Sequence, residues 1–420
     1  MARKMKDSGI EWIGEIPEGW EIKYFVQLFS QVKNKNIGLR EKNLLSLSYG
    51  KIKQKSIETV GGLLPDSFEG YNIIDRNDIV LRLTDLQNDQ HSLRVGLSHE
   101  RGIITSAYCS IRVRGAESPN YLYYYLHTFD IAKGFYGMGS GVRQGLNWDG
   151  LKYIKILLPP QHEQDRISVF LNQKTLEIDS MLSKTISSIE EYKKLKQAVI
   201  TQAITKGVRG ERKMKDSGVE WIGEIPKEWD ILNLVAHTSM LTPMRDRPEN
   251  LDGPIPWIRI EDFDGKYISS SKASLGVSKE TVRSMNLKIY PVGTILCTSS
   301  CIMGKCAIVS RELVSNQRFI GIIPDQNTCE NFLYYLMLSN SERMNYLATG
   351  ALQANLSRSS FEHLKVQFPS YQEQKEISDY LDTKCAEIDK LIAKKEQLVK
   401  ELESYKKSLI YEVVTGKREV

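Results

Sequence analysis

The chain has 420 residues, of which 41% are hydrophobic and 26% are charged, so we expect a soluble globular protein with two or more domains. Its formal net charge of +5 is too small to identify a nucleic-acid-binding protein, and the six cysteines lack the spacing of a disulfide framework. No apolar stretch reaches the ~20 residues of a membrane span and no signal peptide follows the basic start, so the expected location is the cytoplasm.

An internal repeat covers the chain from end to end. It begins with RKMKDSGIEWIGEIPEGW at residues 3–20, which returns as RKMKDSGVEWIGEIPKEW at residues 212–229. Three further stretches recur in the same order. These are NYLYYYL (120–126) with NFLYYLM (331–337), GSGVRQGLNWDGLKYIKILLP (139–159) with TGALQANLSRSSFEHLKVQFP (349–369), and QHEQDRISVFLNQKTLEID (161–179) with YQEQKEISDYLDTKCAEID (371–389). The two copies therefore occupy about 1–210 and 211–420.

The middles of the two copies differ. Residues 30–115 and 240–320 share little beyond the strand-like runs NDIVLRLTD (77–85) and GTILCTSS (293–300). A shared frame around unshared middles indicates one scaffold that presents two different surfaces.

Aromatic residues recur within the frame. The repeated segment carries Trp12 and Trp20 in the first copy and Trp221 and Trp229 in the second. Stacking on nucleic-acid bases is one possible role. Because both copies keep these tryptophans while the middles differ, packing is the favoured interpretation, and the tyrosines of 120–126 fit an amphipathic core helix.

Each copy is predicted to end in a long helix. Pro159 and Pro369 precede these segments, and Gly207 and Gly416 stand where helices commonly stop. Apolar residues then recur at heptad-like steps: Leu171, Ile178, Leu182, Ile189, Tyr192 and Val199, and in the second copy Leu381, Ile388, Leu391, Leu398, Leu402, Tyr405 and Leu409. Two separate helices on two cores are the alternative, but helices of ~40 residues (~60 Å) extend beyond one domain and favour antiparallel pairing.

The predicted fold is α+β. Two globular α/β domains are separated by two long antiparallel coiled-coil helices, and the internal repeat relates the halves by a pseudo-twofold axis. The predicted segments are a first globular domain (1–159), a first helix and linker (160–210), a second globular domain (211–370) and a second helix (371–420). In this arrangement each repeated segment lies where a globular domain meets the end of the neighbouring helix.

The segments that resemble catalytic or metal-binding motifs lack the residues or the spacing that those motifs require. MGKC (303–306) resembles the end of a phosphate-binding loop, but Ser299 stands where the first glycine is required. Cys297, Cys301 and Cys306 lack the C-x2-C spacing of zinc sites and are interpreted as buried thiols. We found no glycine-rich cofactor fingerprint, serine elbow or catalytic carboxylate pair. We therefore expect no catalytic and no metal-binding residue.

Together these features resemble the DNA-specificity subunit of type I restriction–modification enzymes. The resemblance rests on the twice-present D-S-G-[IV]-E-W-I-G-E-I-P-x-x-W segment, on L-P-P-x-x-E-Q and F-P-x-x-x-E-Q before the helices, and on the closing Y-K-K-S-L-I-Y-E-V-V-T-G-K. It covers essentially all 420 residues. It implies that each globular block is a target-recognition domain that reads one half of a split, asymmetric DNA site, and that the helices set the gap.

The resemblance also implies partners. Besides double-stranded DNA, these are two methyltransferase (modification) subunits and restriction motor-nuclease subunits, with no membrane. Methyl transfer with S-adenosylmethionine, and cleavage with ATP and Mg, would belong to those partners, so this subunit is expected to be non-catalytic and to hold no cofactor. Because the second block is nearly neutral, we expect partner subunits to supply part of its phosphate contacts.

Side chains that can read base edges are the candidate DNA-binding residues, since arginine pairs with guanine, and asparagine or glutamine with adenine. In the first block they are Arg82, Thr84, Arg143 and Gln144; in the second they are Arg245, Arg247, Arg259, Ser299, Gln353, Asn355 and Arg358. For each of them, a surface or structural role is the alternative.

Two other functions are alternatives for this sequence. One is a non-enzymatic coiled-coil adaptor whose two heads bind proteins. The other is a methyltransferase within one head, which the lack of an N/D-P-P-[YF] motif disfavours. Neighbouring genes for an adenine methyltransferase and a translocase-nuclease would favour the specificity subunit.

Overall fold

The chain folds into two compact units. In a computed structural model, the described residues are 3–56, 67–89, 92–139, 145–243, 246–300, 304–348 and 356–420. The first unit consists of Met1–Ile186 and Gln397–Val420, and the second of Ser187–Glu396. Each unit therefore combines one globular block with parts of both long helices, and the four predicted segment boundaries stay a prediction.

The first unit is built around a four-stranded antiparallel sheet. Its strands are β1 (Met5–Asp7), β2 (Glu15–Pro17), β3 (Glu21–Tyr24), β4 (Phe29–Gln31), β5 (Leu45–Ser48), β6 (Lys51–Gln54), β7 (Asn72–Ile74), β8 (Ile79–Leu81), β9 (Val95–Leu97), β10 (Gly102–Ile104), β11 (Cys109–Val113) and β12 (Lys155–Leu158). Its helices are α1 (Phe25–Leu28), α2 (Pro119–Ile131), α3 (Trp148–Leu151) and the first part of α4 (Gln161–Lys206). The central sheet has the order β4–β11–β8–β9.

The second unit repeats this plan. Its strands are β13 (Met214–Asp216), β14 (Glu224–Pro226), β15 (Asp230–Asn233), β16 (Thr238–Leu241), β17 (Ile255–Ile258), β18 (Tyr267–Ile268), β19 (Gly276–Val277), β20 (Ile295–Thr298), β21 (Cys306–Val309), β22 (Val314–Ser315), β23 (Phe319–Pro324) and β24 (Lys365–Phe368). Its helices are α5 (Lys279–Ser284), α6 (Glu330–Ser339), α7 (Ser341–Leu347), α8 (Arg358–Glu362) and the first part of α9 (Tyr371–Val414), with 3-10 helices at Leu234–Ala236 and Ile260–Asp262.

The central sheets of the two units correspond strand by strand. The order β16–β23–β20–β21 in the second unit matches β4–β11–β8–β9, and β18 adds a parallel edge strand beside β21. The two strand-like runs found in the sequence become the buried strands β8 and β20. Cys297 and Cys306 are buried opposite each other on β20 and β21, which confirms the prediction of buried thiols, while Cys301 lies outside the described residues.

The repeated segment fixes the start of a long helix. In the first unit Trp20 is 1% exposed, and its indole N–H donates to Glu163 Oε2 at 3.0 Å in the first turn of α4. The guanidinium of Arg3 lies 2.6 Å from Glu163 Oε1 and 5.6 Å from the centre of the Trp20 ring. One carboxylate thus joins two residues of the repeated segment to the helix.

The second unit contains the same three-residue cluster. Trp229 is 1% exposed and donates to Glu373 Oε2 at 3.0 Å, and Arg212 lies 2.6 Å from Glu373 Oε1. The packing interpretation is therefore confirmed for Trp20 and Trp229. It is wrong for Trp221, which is 43% exposed and lies under the Arg343 guanidinium at 4.0 Å.

The glutamine after each helix-starting glutamate ties the long helix to the tyrosine-rich helix. Gln164 Oε1 accepts the backbone N–H of Ser118, the N-cap of α2, at 2.9 Å. Gln374 Oε1 accepts the N–H of Cys329, the N-cap of α6, at 2.8 Å. Each bond satisfies a donor that a helix N-terminus leaves without a partner. The E-Q pair of the sequence motif is thus a structural junction.

Both long helices start and stop where the sequence indicated. α4 runs over 46 residues from Gln161 and α9 over 44 residues from Tyr371. Gly207 and Gly416 both have φ of +74°, the left-handed conformation that suits glycine after a helix. In the part of the chain that the structure describes, no helix is apolar enough over a sufficient length to cross a membrane.

The helices pair antiparallel within each unit. In the first unit Lys406 Nζ lies 2.5 Å from Asp179 Oδ1, and in the second Lys196 Nζ lies 2.7 Å from Asp389 Oδ2. The same number of residues separates these contacts along α4 and along α9, so one antiparallel register fits both. Leu171 and Leu409 are buried in the first core and Leu381 in the second.

Part of the predicted seam is wrong. Leu391, Leu398 and Tyr405 are 41%, 42% and 49% exposed, although they follow the heptad spacing. They are spaced seven residues apart along α9, so they form an apolar stripe outside the helix pairing.

We expect the hydrogen bond from the Trp229 indole to Glu373 to contribute measurably to the free energy of unfolding of the second unit. Trp229→Ala should lower the free energy of unfolding by about 3–5 kcal/mol, because it removes a buried ring. Trp229→Phe should lower it by about 1–2 kcal/mol, because Glu373 loses a donor while most of the packing remains. Denaturant titration followed by circular dichroism measures both. Trp221→Phe is the exposed control, and an equal loss there would contradict the role of the junction.

Candidate nucleic-acid interface

Two of the predicted DNA-binding segments meet in the first unit. The chain leaves β8 at Leu81 and enters the loop that carries Arg82 and Thr84. The backbone N–H of Leu146, which precedes α3, donates to the C=O of Leu83 at 2.9 Å. This bond brings the loop after β8 beside the segment that follows residues 140–144. Arg143 and Gln144 themselves lie outside the described residues.

The same meeting occurs in the second unit. The N–H of Leu356, which precedes α8, donates to the C=O of Ser299 at 2.9 Å, just after β20. Leu356 aligns with Leu146, and Ser299 with Leu83, in the internal repeat. The repeat therefore places the loop after the central strand beside the loop before a short helix in both units. Gln353, Asn355 and Arg245 lie outside the described residues.

A buried arginine fixes the loop of the first unit. Arg94 is 0% exposed, and its guanidinium donates to four backbone carbonyls of the loop and to one tyrosine hydroxyl. The acceptors are Arg82 O (3.1 Å), Thr84 O (2.8 Å), Asp85 O (3.2 Å), Asp89 O and Tyr136 Oη (3.1 Å). The exposed side chain of Thr84 and the half-buried Arg82 thus stand on a rigid backbone.

A carboxylate lies beside this arginine. Asp130 Oδ2 accepts the backbone N–H of Arg94 at 2.7 Å. Burial raises the pKa of Asp130 to about 6, against the lowering effect of Arg94. At neutral pH the carboxylate is therefore mainly ionised and lies next to the positive charge of Arg94.

We expect Arg94→Met to lower the free energy of unfolding of the first unit by about 3 kcal/mol or more. It leaves buried carbonyls without donors, and of the two positive charges that act on Asp130, Arg94 and Lys133, only Lys133 remains. The pKa of Asp130 should rise further, so the folded variant holds that proton more tightly than the unfolded chain. The bound proton therefore stabilises the folded variant at low pH, and this stabilisation disappears as the pH rises. The difference in free energy of unfolding between wild type and Arg94→Met should accordingly be larger at pH 8 than at pH 5.

Denaturant titrations at the two pH values measure this effect. Arg82→Met is the matched control, because the Arg82 side chain is 31% exposed and meets Asp89 at 3.4 Å. We expect it to change stability by less than about 1 kcal/mol. Similar losses in both variants would contradict the anchoring role of Arg94.

Two other described candidates already have ion-pair partners. Arg259 Nη1 lies 3.1 Å from Glu261, and Arg358 Nε lies 2.6 Å from Glu362 one turn along α8. Such exposed ion pairs are weak and can be exchanged for a ligand. Base contact by the candidate residues stays a prediction.

A polar cavity of about 320 Å³ lies in the second unit. Two predicted residues, Arg247 and Arg259, line it. Three more that sequence reasoning missed, Asn316, Gln317 and Arg318, also line it; they form the loop between β22 and β23. A signal for this loop was present in the sequence: an asparagine, a glutamine and an arginine, all side chains that can read bases, follow one another between two strand-like stretches.

Comparisons with known proteins agree with this architecture. A family model described as the type I restriction modification DNA specificity domain matches residues 230–401. The MjaIX specificity subunit of a type I restriction enzyme from Methanocaldococcus jannaschii is 34% identical over 168 residues, which is 38% of each chain. The MjaVIII specificity subunit of the same organism is 23% identical over 424 residues, covering 96% of this chain and 93% of that protein.

A solved structure has the same fold. One chain from a study of complex assembly and conformational transition of the type I R-M system covers 96% of this chain and 99% of its own length, with a TM-score of 0.73 and 13% identity. The family domain, the full-length relative and this fold all agree with the duplicated frame. Residues 230–401 match the specificity domain of type I restriction–modification enzymes, and over 96% of its length the chain is similar to a specificity subunit of these enzymes.

Proposed function

We propose that this chain supplies the DNA-sequence specificity of a type I restriction–modification complex, and that each unit reads one half of a split, asymmetric site. The observation that carries the proposal is the pair of equivalent hydrogen bonds, Leu146 to Leu83 and Leu356 to Ser299. They set corresponding loops side by side in one frame, while the side chains on those loops differ. One scaffold with two different reading surfaces fits a site whose halves differ in sequence.

The long helices have two functions in this proposal. They set the gap between the half-sites, and they dock two methyltransferase subunits. The support for docking is the exposed apolar stripe of α9, Leu391, Leu398 and Tyr405. The internal repeat places Met181 and Leu195 of α4, which are 53% and 48% exposed, at positions equivalent to Leu391 and Tyr405. Two equivalent apolar surfaces suit two copies of one partner.

The chemistry in this proposal belongs to the partners. The subunit itself is non-catalytic, and S-adenosylmethionine, ATP and Mg are used by the methyltransferase and restriction subunits. The nearly neutral charge of the second block supports this sharing, because phosphate contacts provide most of the salt-dependent affinity for DNA. The complex acts in the cytoplasm, where its DNA substrate is found.

Co-expression with the methyltransferase encoded beside it in its source genome tests the proposal. We expect a purified complex with two methyltransferase copies per chain, by native mass spectrometry. In a host free of other adenine methylation, sequencing should show methylation at one split motif only. A chain that does not bind the methyltransferase, or methylation without a split motif, would contradict the proposal.

A further inference from the structure

The loop between β22 and β23 is held rigidly at the cavity of the second unit. Asn316 Oδ1 accepts the backbone N–H of Arg318 at 3.0 Å. The C=O of Arg318 accepts the N–H of Ser299 at 2.8 Å. Since the C=O of Ser299 in turn accepts Leu356 N–H, this loop, the loop after β20 and the segment before α8 form one connected surface.

The side chains of this loop are exposed. Gln317 and Arg318 are both open to solvent, and among the described residues neither side chain has a hydrogen-bond or ion-pair partner. Across the cavity, Arg247 is likewise exposed, and Arg259 has a buried Nε without a partner among the described residues. Three guanidinium groups face one carboxylate, Glu261, so the cavity carries a net positive charge. A negatively charged ligand with acceptor atoms fits this lining.

The corresponding loop of the first unit carries different chemistry. β10 and β11 occupy the places of β22 and β23, and residues 105–108 join them. That loop reads Thr-Ser-Ala-Tyr, and Thr105 Oγ1 accepts the N–H of Ala107 at 3.3 Å. It has no arginine and no carboxamide. The same position in the frame thus holds strong base-edge donors in one unit only.

We propose that Gln317 and Arg318 read purine edges of the second half-site in the DNA major groove, and that Arg247 and Arg259 hold the adjacent backbone phosphate. The inference rests on the proposed function and names the side chains that carry it out in the second unit. An arginine fork matches the O6 and N7 atoms of guanine, and a glutamine carboxamide matches N6 and N7 of adenine. A phosphate would need only charge, so the adjacent carboxamide favours reading of bases by this loop.

The test uses the purified complex with its methyltransferase, and a set of duplexes that carry the methylated site or one substituted base pair. Arg318→Ala should weaken binding to the wild-type site roughly 10- to 100-fold and abolish discrimination at one base pair of the second half-site. Arg318→Lys should not restore it, because lysine lacks the fork. Gln317→Ala should reduce discrimination between bases at a neighbouring base pair. The first half-site should be read unchanged in all three variants.

The phosphate-holding role predicts a different pattern. Arg247→Ala should weaken binding to every duplex by a similar factor and reduce the slope of log affinity against log salt by about one. Arg283→Ala, an exposed arginine of α5 outside the cavity lining, is the charge-matched control and should leave discrimination unchanged. Circular dichroism verifies that each variant is folded.

The outcomes separate the inference from the function. If the wild-type complex discriminates both half-sites and Arg318→Ala keeps full discrimination at the second, the inference is overturned and the proposed function stands. A loss confined to the first half-site also overturns it. If the wild-type complex prefers no sequence at all, the proposed function itself has failed.

Discussion

Exchange of residues 30–150 for the corresponding block of another specificity subunit changes one half of the methylated site completely and leaves the other half as it was. The exchanged block contains most of β4, all strands from β5 to β11, and the loop that carries Arg82 and Thr84. It leaves Trp20, Glu163 and the long helices untouched, so the junction that fixes α4 is kept. The donor must retain the tyrosine-rich helix, whose N-cap meets Gln164. Sequencing of methylated bases in a host that carries the chimera reads both half-sites directly.

The chain offers its own matched control for this exchange. If residues 240–360 of the second unit replace residues 30–150, both units carry the same reading loops. Because both copies of the internal repeat would then carry equal readers, the two halves of the methylated site should have the sequence of the second half-site. A change in both halves after a one-sided exchange, or in neither half, would rule out one reader per unit.

Insertion of four residues into each long helix lengthens the unread gap of the methylated site by one or two base pairs. The chain passes from the first unit to the second within α4 at Ser187–Ser188, and back within α9 at Gln397–Leu398. Matched insertions at these two places keep every other interhelical contact in register. Four residues add ~6 Å of helix, and duplex DNA rises ~3.4 Å per base pair. The half-site sequences should stay the same, because no reading loop is altered.

The control for this lengthening is an insertion of four residues at Ser187–Ser188 alone. It shifts one helix against the other, so the apolar contacts of the pairing are lost and activity should fall by at least ten-fold. Sequencing of methylated bases reads the gap in the strain with both insertions. An active doubly extended enzyme with an unchanged gap would show that helix length does not set the spacing.

The sequence predicted the frame well because the frame depends on short-range signals. Proline and glycine marked the ends of both helices, and duplication marked the residues that fix them. The heptad pattern could not show which apolar positions face the partner helix, since Leu398 satisfies the spacing and is nevertheless exposed. The residue type alone does not show whether an apolar side chain packs between the two helices or belongs to a different surface.

The candidate site was less accessible to sequence reasoning. Nothing in the sequence distinguishes Arg94 from a surface cation, and only the fold shows that it is buried among the carbonyls of its own loop. The Asn316–Arg318 loop has no periodicity, and its position at the cavity depends on a hydrogen bond from a distant strand end, Ser299. Long-range pairings of this kind leave no local pattern.

The core of the first unit contains residues from the far end of the chain. Leu409, Ile410, Val413 and Val414 are at most 2% exposed there, and the C=O of Val414 accepts a hydrogen bond from Tyr121. During synthesis the ribosome releases these residues only after residues 187–396, the whole second unit, have emerged. The unit that is synthesised first is therefore completed last. Its hydrophobic core stays incomplete until the final turns of α9 have been synthesised. Loss of the last two dozen residues would accordingly damage the beginning of the protein more than its end.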